Sequence, residues 1–366
     1  MSEAIGSHMS EAVIGAVRLP PLAVSSWRRG LFGSWTNLFI TLGYGAFAWW
    51  LLRPLLRWAV VDSTLVGTAE ACAQRDGACW AFIAEKLPFI LFGFYPQSNL
   101  WRPALSIVVL LGVIVVACLP RFWGRYLAPA GGAGIVLAVL LLAGAPFGSF
   151  VKTDQWGGLP VTLLLSVIAF AGAFPLAVAL ALARRSRRGP LRWLAIGFIE
   201  VVRGVPFISI LYLATLLFPL MLPHGASIDK FARAQAALVL FVAAYLAEII
   251  RAGLQSVPAG QDEAARSLGL SRWRALRLVV LPQALRSVIP AMVNLVIGIF
   301  QDTTLVLVIG MFDFLNTARA AAADPQWLGF YDESYAFVAV VYAVCCFGVS
   351  RYSLWLERYL GRARAR

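Results

Sequence analysis

Five ionisable side chains sit inside otherwise apolar stretches of this sequence: Glu200, Arg203, Arg233, Glu248 and Asp302. An ionisable group at membrane depth is costly and usually has a task. Asp302 stands in the richest polar neighbourhood, with Asn294, Gln301, Thr303 and Thr304. Asn294, Gln301 and Thr304 or Leu305 are seven and three to four apart, so a helix places them on one face. Asp302 could accept from a bound cation, and Gln301 or Thr303 could donate to an anion. The competing expectation is a structural clamp, with Asp302 paired to an arginine such as Arg203. Glu200, Arg203 and Glu248 read as ion pairs or gating contacts.

Catalytic patterns are missing. There is no G-x-x-x-x-G-K-[ST] run: the lysines, Lys86, Lys152 and Lys230, each follow a residue other than glycine. The chain therefore has no P-loop to cradle a nucleotide phosphate. The histidines are His8 and His224 alone, so no metal site is expected and no cofactor. The expectation is a transport role and not an enzyme.

One further stretch has the spacing of a device. Pro258 opens a short helix in which Asp262 and Glu263 lie near the N-terminal end, where the helix dipole favours acids. Ala264, Ala265 and Leu268 are expected to form a small flat apolar face. Gly269 can take positive φ and end the helix. Ser271 then caps a second helix running to Leu281-Pro282, with Leu270 and Arg272 at the joint. The product is a helix–glycine–helix elbow, open to close approach by a partner. The plainer alternative is an amphipathic loop lying among lipid headgroups, held by Arg272 and Trp273.

These residues must be held by membrane helices. Of 366 residues, 60% are hydrophobic and 13% charged, far from the roughly 45–50% and 25% of a soluble domain. Long uncharged runs are Gly30–Leu52, Ala104–Leu119, Tyr126–Val151, Gln155–Ala183, Gly204–Ile228, Ala234–Ala247 with Glu248-Ile249-Ile250, Ser287–Phe312 interrupted by Asp302, and Ser334–Ser350. A span needs roughly 20 mostly apolar residues. The expectation is an all-α polytopic membrane protein of about eight transmembrane helices. Gly204-Val205-Pro206 should break the fifth, since Pro206 removes an N–H and restricts Val205.

The net charge of +13 would suggest nucleic acid in a soluble protein. Segments 1–29, 120–125, 184–192, 251–286 and 351–366 are each net positive, whereas the alternate segments 53–102, 147–159, 219–232 and 313–333 are together slightly negative. By the positive-inside tendency, both termini are expected in the cytoplasm. The charge then reports orientation, and no nucleic-acid partner is expected. Residues 1–29 contain no apolar run followed by a cleavage site, and Gly6-Ser7-His8-Met9 reads like a cloning scar. Cys72 and Cys79 lie in the long outer segment, where a disulfide between them is an expectation of topology; two free thiols is the alternative. Cys118, Cys345 and Cys346 sit in apolar runs.

Glu263-Ala264-Ala265, Gly269 and Val279-x-Leu281-Pro282 together resemble the EAA signature of ATP-binding-cassette (ABC) importer permeases, with Val279 in place of the usual Ile. Ile199-Glu200-Val201-Val202-Arg203-Gly204-Val205-Pro206 resembles the IEVVRGTP segment of polar amino-acid permeases. Ala244-Tyr245-Leu246-Ala247-Glu248-Ile249-Ile250-Arg251-Ala252-Gly253 resembles AYxAEIVRGG. Leu281-Pro282-Gln283-Ala284-Leu285-Arg286 resembles LPQALR, and Gln301-Asp302-Thr303-Thr304-Leu305 resembles KDTSL with Gln for Lys. Segments Ala78–Ile83 and Trp101–Ala104 extend the likeness to AapM-type permeases of general L-amino-acid importers.

The resemblance implies a type I importer permease fold with a five-helix core at 156–366, a cytoplasmic N-terminal segment at 1–29, and an extension at 30–155 with three spans and a periplasmic loop at 53–102. It implies an inner-membrane assembly: a second homologous permease, two cytoplasmic ATPase subunits that bind ATP–Mg, and a periplasmic amino-acid-binding protein, all in contact with membrane lipid. The elbow within 252–285 would dock on the ATPase through Glu263, Ala264, Ala265, Gly269, Leu270, Ser271 and Arg272. The substrate path would use Asn294, Gln301, Asp302, Thr303 and Thr304, with Glu200, Arg203, Pro206 and Glu248 gating or structural. The alternatives are an ion-coupled secondary amino-acid transporter, and a partner permease without a pocket of its own.

Overall fold

A computed structural model describes residues 30–145, 148–186, 189–223 and 228–362. The N-terminal segment 1–29, His224 and residues 363–366 lie outside the described residues. The described residues divide into two units: 30–64 with 72–78, and 65–71 with 79–362.

In the first unit, helix α1 (Trp35–Leu56) is capped by Ser34, whose hydroxyl accepts from the Asn37 amide. It continues through a π turn, Arg57–Val61, just after Pro54. No residue of α1 is buried.

The second unit holds the bundle. Its helices are α2 (Trp80–Phe92), α3 (Trp101–Cys118), α4 (Leu127–Ala143), α5 (Gly158–Arg184), α6 (Gly189–Gly204), α7 (Phe207–Tyr212), α8 (Lys230–Ser256), α9 (Ala259–Ser267), α10 (Arg272–Ala275), α11 (Leu281–Ser287), α12 (Ile289–Asp302), α13 (Phe314–Ala321) and α14 (Tyr331–Arg362). A two-residue strand, Phe312–Asp313, bridges in parallel to Gly157 and Gly158.

The core is the pairing of α5 with α8. Ala169, Ala173, Ala177 and Ala181 recur every four residues along α5 and are fully buried. Their stripe lets the backbone of α8 come close, where Val242, Ala243, Leu246, Ala247 and Ile250 are buried in turn. Lipid tails are as apolar as leucine, so close packing through small residues is what holds two membrane helices together.

Among the described residues, six helical segments are long and apolar enough to cross a membrane: Trp35–Val61, Trp101–Cys118, Gly158–Arg184, Lys230–Ser256, Ile289–Ile309 and Tyr331–Gly361. A seventh is the broken pair Gly189–Gly204 and Phe207–Leu220, bent by 106°. The remaining expected span, Tyr126–Val151, is α4, with only 17 residues. At about 1.5 Å per residue it falls a few ångströms short of the roughly 30 Å hydrocarbon core. Gly144, in the left-handed region, ends it. The fifth expected span is also corrected. Its break falls at Gly204-Val205-Pro206 as the sequence predicts, but a complete 16-residue helix, α6, precedes the break. The segment 53–102, read as a loop, contains the 13-residue helix α2.

Candidate functional site

The elbow forms from the residues that predict it. Pro258 stands at the N-cap of α9, and Asp262 is in its first turn. Gly269 has φ +81°, a conformation that strains any residue with a Cβ. Its amide donates to the Arg266 carbonyl (3.0 Å), while the Leu270 amide donates to Ala265 (3.2 Å). Ser271 caps α10, its hydroxyl accepting from the Arg274 amide. The second helix does not stop at Leu281-Pro282 as expected. A π turn at Leu276–Val280 widens the helix just before Pro282, and α11 carries on to Ser287. Such a turn relieves the clash and the missing N–H that proline imposes.

The apolar face expected of Ala264, Ala265 and Leu268 is divided. Ala265 is buried within the chain. Ala264 is exposed, and Leu268 stands 84% exposed beside Gly269. Glu263, Ser271 and Arg272 are also exposed, and Leu270 is half-buried. The elbow is tied to the bundle at three points. Gln283 Nε2 donates to Gln261 Oε1 (3.1 Å), and the Ser256 and Ser287 hydroxyls are 3.0 Å apart. At Gly253 on α8, a Cβ would lie 2.5 Å from the Ala284 carbonyl oxygen, so the two helices meet backbone to backbone.

Above the elbow lies a knot of charge. Glu248 on α8 accepts a hydrogen bond from Arg251 (2.9 Å) and forms an ion pair with Arg184 (2.8 Å), with Arg203 at 3.8 Å. Arg184 also reaches Glu200 on α6 (2.9 Å). The guanidinium of Arg203 stacks 5.4 Å from the Tyr245 ring centroid. Glu248 is the least exposed member, and it joins the end of α5, the pre-break helix α6 and α8. Glu200, Arg203 and Glu248 were legible as charges; Arg184, the other hub, was not singled out, because it reads as one of several arginines in a basic loop.

The polar strip lies on α12. Asn294 and Gln301 are exposed on its surface, and Gln301 Nε2 approaches Cys346 Sγ at 3.8 Å. Asp302 closes α12, where the backbone changes to a 3-10 turn at Thr303–Ile309. Thr303 is fully buried, its hydroxyl donating to the Phe300 carbonyl (2.8 Å). The Thr304 hydroxyl donates to Gln301 (2.9 Å), and the Thr304 carbonyl accepts from Asn316 Nδ2 (3.0 Å). The clamp between Asp302 and Arg203 does not form, because Arg203 is engaged with Glu248 and Tyr245. Among the described residues, half-buried Asp302 has neither an ion pair nor a hydrogen bond of its side chain.

At the opposite end from the elbow, α2 is latched to the segment between α13 and α14. Lys86 Nζ bonds Asp324 Oδ2 (2.8 Å), and the Trp327 indole donates to Glu85 (3.0 Å). Phe82 stacks against Trp327 and Phe330, and the Thr317 hydroxyl donates to the Ile90 carbonyl (2.8 Å). The Lys86 ammonium holds the Asp324 carboxyl below its ordinary range. Cys72 and Cys79 are disulfide-bonded, whereas Cys118, Cys345 and Cys346 carry free thiols. Among the described residues, no cluster of His, Cys, Asp or Glu is arranged to hold a metal.

A bundle of membrane helices with one broken span and an exposed elbow is the architecture of a transporter's membrane component. The chain belongs to the family described as binding-protein-dependent transport system inner membrane component, which its residues 173–362 match. It is a multi-pass inner-membrane protein. It is 42% identical over 348 residues to an inner membrane amino-acid ABC transporter permease protein, YhdY, of Escherichia coli (strain K12), covering 92% of this chain and 93% of that one. It is 35% identical to a glutamate/glutamine/aspartate/asparagine transport system permease protein, BztC, of Rhodobacter capsulatus, covering 93% and 94%. A solved amino acid ABC transporter with histidines is 34% identical, with a TM-score of 0.50, and covers 55% of this chain and 92% of its own.

Proposed function

We propose that this chain is the permease subunit of an ATP-driven importer that moves polar L-amino acids from periplasm to cytoplasm. The observation that carries the reading is the 42% identity to an amino-acid ABC permease along nearly the whole of both chains. In this reading both termini and the elbow face the cytoplasm, in accord with the arginine-rich segments at 184–192 and 251–286. A second permease completes the path, two ATPase subunits bind ATP–Mg, and a periplasmic protein delivers the amino acid. The chain itself holds no cofactor.

The elbow is the coupling element. Ala264 and Leu268 offer a small apolar contact, flanked by Glu263 and by Ser271 and Arg272 beyond the Gly269 turn. Ala265 acts from inside, seating α9 on the bundle. Closure of the ATPase pair would move α9 as a rigid body, and Gly253 and Gln283 would pass that motion to α8 and α11. The substrate path is assigned to α12. Asp302, without a cation of its own, meets the substrate ammonium, and the Gln301 amide and Asn294 serve the carboxylate. Thr303 and Thr304 shape the 3-10 turn behind them. Glu248, Glu200 and Arg203 form the gate's ionic latch beside the Pro206 break, since broken helices border substrate paths. The five-helix core is 156–366, and residues 30–155 are an extension whose helix α2 braces the periplasmic end.

The test is purification of a tagged copy from its native membrane in mild detergent. Co-purification of an ATPase and a second permease is expected. Isolation of this chain alone, or in a complex without an ATPase, would contradict the reading.

A further inference from the structure

Behind the elbow is a cavity of about 990 Å³, at the upper end of the roughly 300–1,000 Å³ range of ligand pockets. One wall is a face of α5: Leu176, Ala179, Leu180 and Ala183 recur at helical spacing. Leu191 and Leu194 of α6 add a second apolar wall. The remaining wall is α9, which presents Asp262, Glu263 and Arg266; Arg185 and Trp273 complete the rim.

The depth of the cavity follows from the lengths of its helices. Both α5 and α8 have 27 residues, or about 40 Å at 1.5 Å per residue. That exceeds a hydrocarbon core of roughly 30 Å, so their ends reach the headgroup layer. The leucines from α5 therefore lie on the hydrocarbon side, and the charged rim lies among headgroups. Trp273 is 61% exposed, at a level where indole rings favour the interface.

The charges at the rim are unusually placed. Asp262 and Arg266 are four apart on one helix face, a spacing at which opposite charges ordinarily pair. Among the described residues, Asp262, Glu263 and Arg266 take no part in an ion pair. The Arg185 guanidinium makes one bond among the described residues, to the Leu254 carbonyl (3.3 Å). Two acids and two guanidinium groups thus border one apolar cavity without neutralising each other. A phosphate beside an ammonium matches that set, with apolar chains for the leucines.

We propose that this cavity binds a zwitterionic aminophospholipid of the leaflet on the elbow's side. Arg185 and Arg266 take the phosphate, Asp262 and Glu263 take the primary ammonium, and the α5 and α6 leucines take the acyl chains. A seated lipid would fill the space that separates α9 from the bundle, so elbow movement would be transmitted rather than absorbed.

The test uses the permease with its partner subunits in nanodiscs. The lipid is phosphatidylcholine alone, or the same with equal admixtures of phosphatidylethanolamine or phosphatidylglycerol. The expected result is an unfolding temperature several degrees higher with phosphatidylethanolamine than with either other lipid, as for any ligand of the native state. Native mass spectrometry should find phosphatidylethanolamine retained. Ala179→Trp, which fills the apolar wall, and Asp262→Asn, which removes an ammonium partner, should each abolish the difference. If Ala179→Trp does not assemble, Asp262→Asn alone carries the test. Equal unfolding temperatures in the three lipids would overturn the site. So would an undiminished phosphatidylethanolamine preference in the variants, retention of phosphatidylglycerol instead, or occupation of the cavity by residues 1–29 or by an ATPase side chain.

Discussion

At the scale of single residues, two positions carry most of the functional reading. Gly269 is the hinge of the elbow, at φ +81° with open space around it. A side chain there strains the backbone by about 1–2 kcal/mol without meeting a neighbour. Gly269→Asp should therefore leave the permease pair assembled but abolish substrate-stimulated ATP hydrolysis; unchanged stimulation would remove the elbow from the coupling path. Asp302 is the other position. Its companions in the span-embedded acid set, Glu200 and Glu248, are matched by arginines, whereas Asp302 is not. Asp302→Ala should lower uptake at least tenfold, equivalent to about 1.4 kcal/mol, while leaving the yield of folded complex intact. Normal uptake would make Asp302 a bystander. The sequence showed which residues were charged and intramembrane, but not how they pair. Arg203 was as available to Asp302 as to Glu248, and only the docking of α6 on α8 decides for Glu248.

At the scale of elements, the helix–glycine–helix logic of the elbow was legible because each step has a local cause: Pro258 at the start, Gly269 at the stop, Ser271 at the next start. The continuation through Pro282 was not. A proline at that place reads as a terminator, and the π turn that absorbs it leaves no local signature. Helix α2 escaped for a different reason. Its buried face, Ala81, Phe82, Ile83 and Ile90, includes Phe82, which packs on Trp327 and Phe330, far away in sequence. One close contact between elements is α8 on α11 at Gly253. Gly253→Val places a branched side chain where a Cβ alone would lie 2.5 Å from the Ala284 carbonyl. Overpacking of this kind costs about 1–3 kcal/mol. The variant should unfold at a measurably lower temperature in detergent and show weakened coupling between ATP hydrolysis and uptake. An unfolding temperature equal to that of the unaltered protein would show that α8 and α11 separate freely.

At the scale of the molecule, a membrane bundle with two active ends emerges from the second unit. At one end the elbow stands proud of the α5–α8 core, with the Glu248 knot above it. At the other, Lys86, Asp324 and the Phe82 aromatic cluster bind α2 to the segment between α13 and α14, while Asn316 on α13 holds the Thr304 carbonyl. The spans and the shorter α4 carry much of the chain's apolar content, and the net positive charge collects in alternate connecting segments. The most direct test of the whole account is uptake into proteoliposomes holding this permease, its partner permease and its ATPase, with the binding protein outside and ATP inside. The account predicts accumulation of polar L-amino acids that requires ATP and the binding protein and is indifferent to a collapsed proton or sodium gradient. Accumulation driven by an ion gradient without ATP would contradict it.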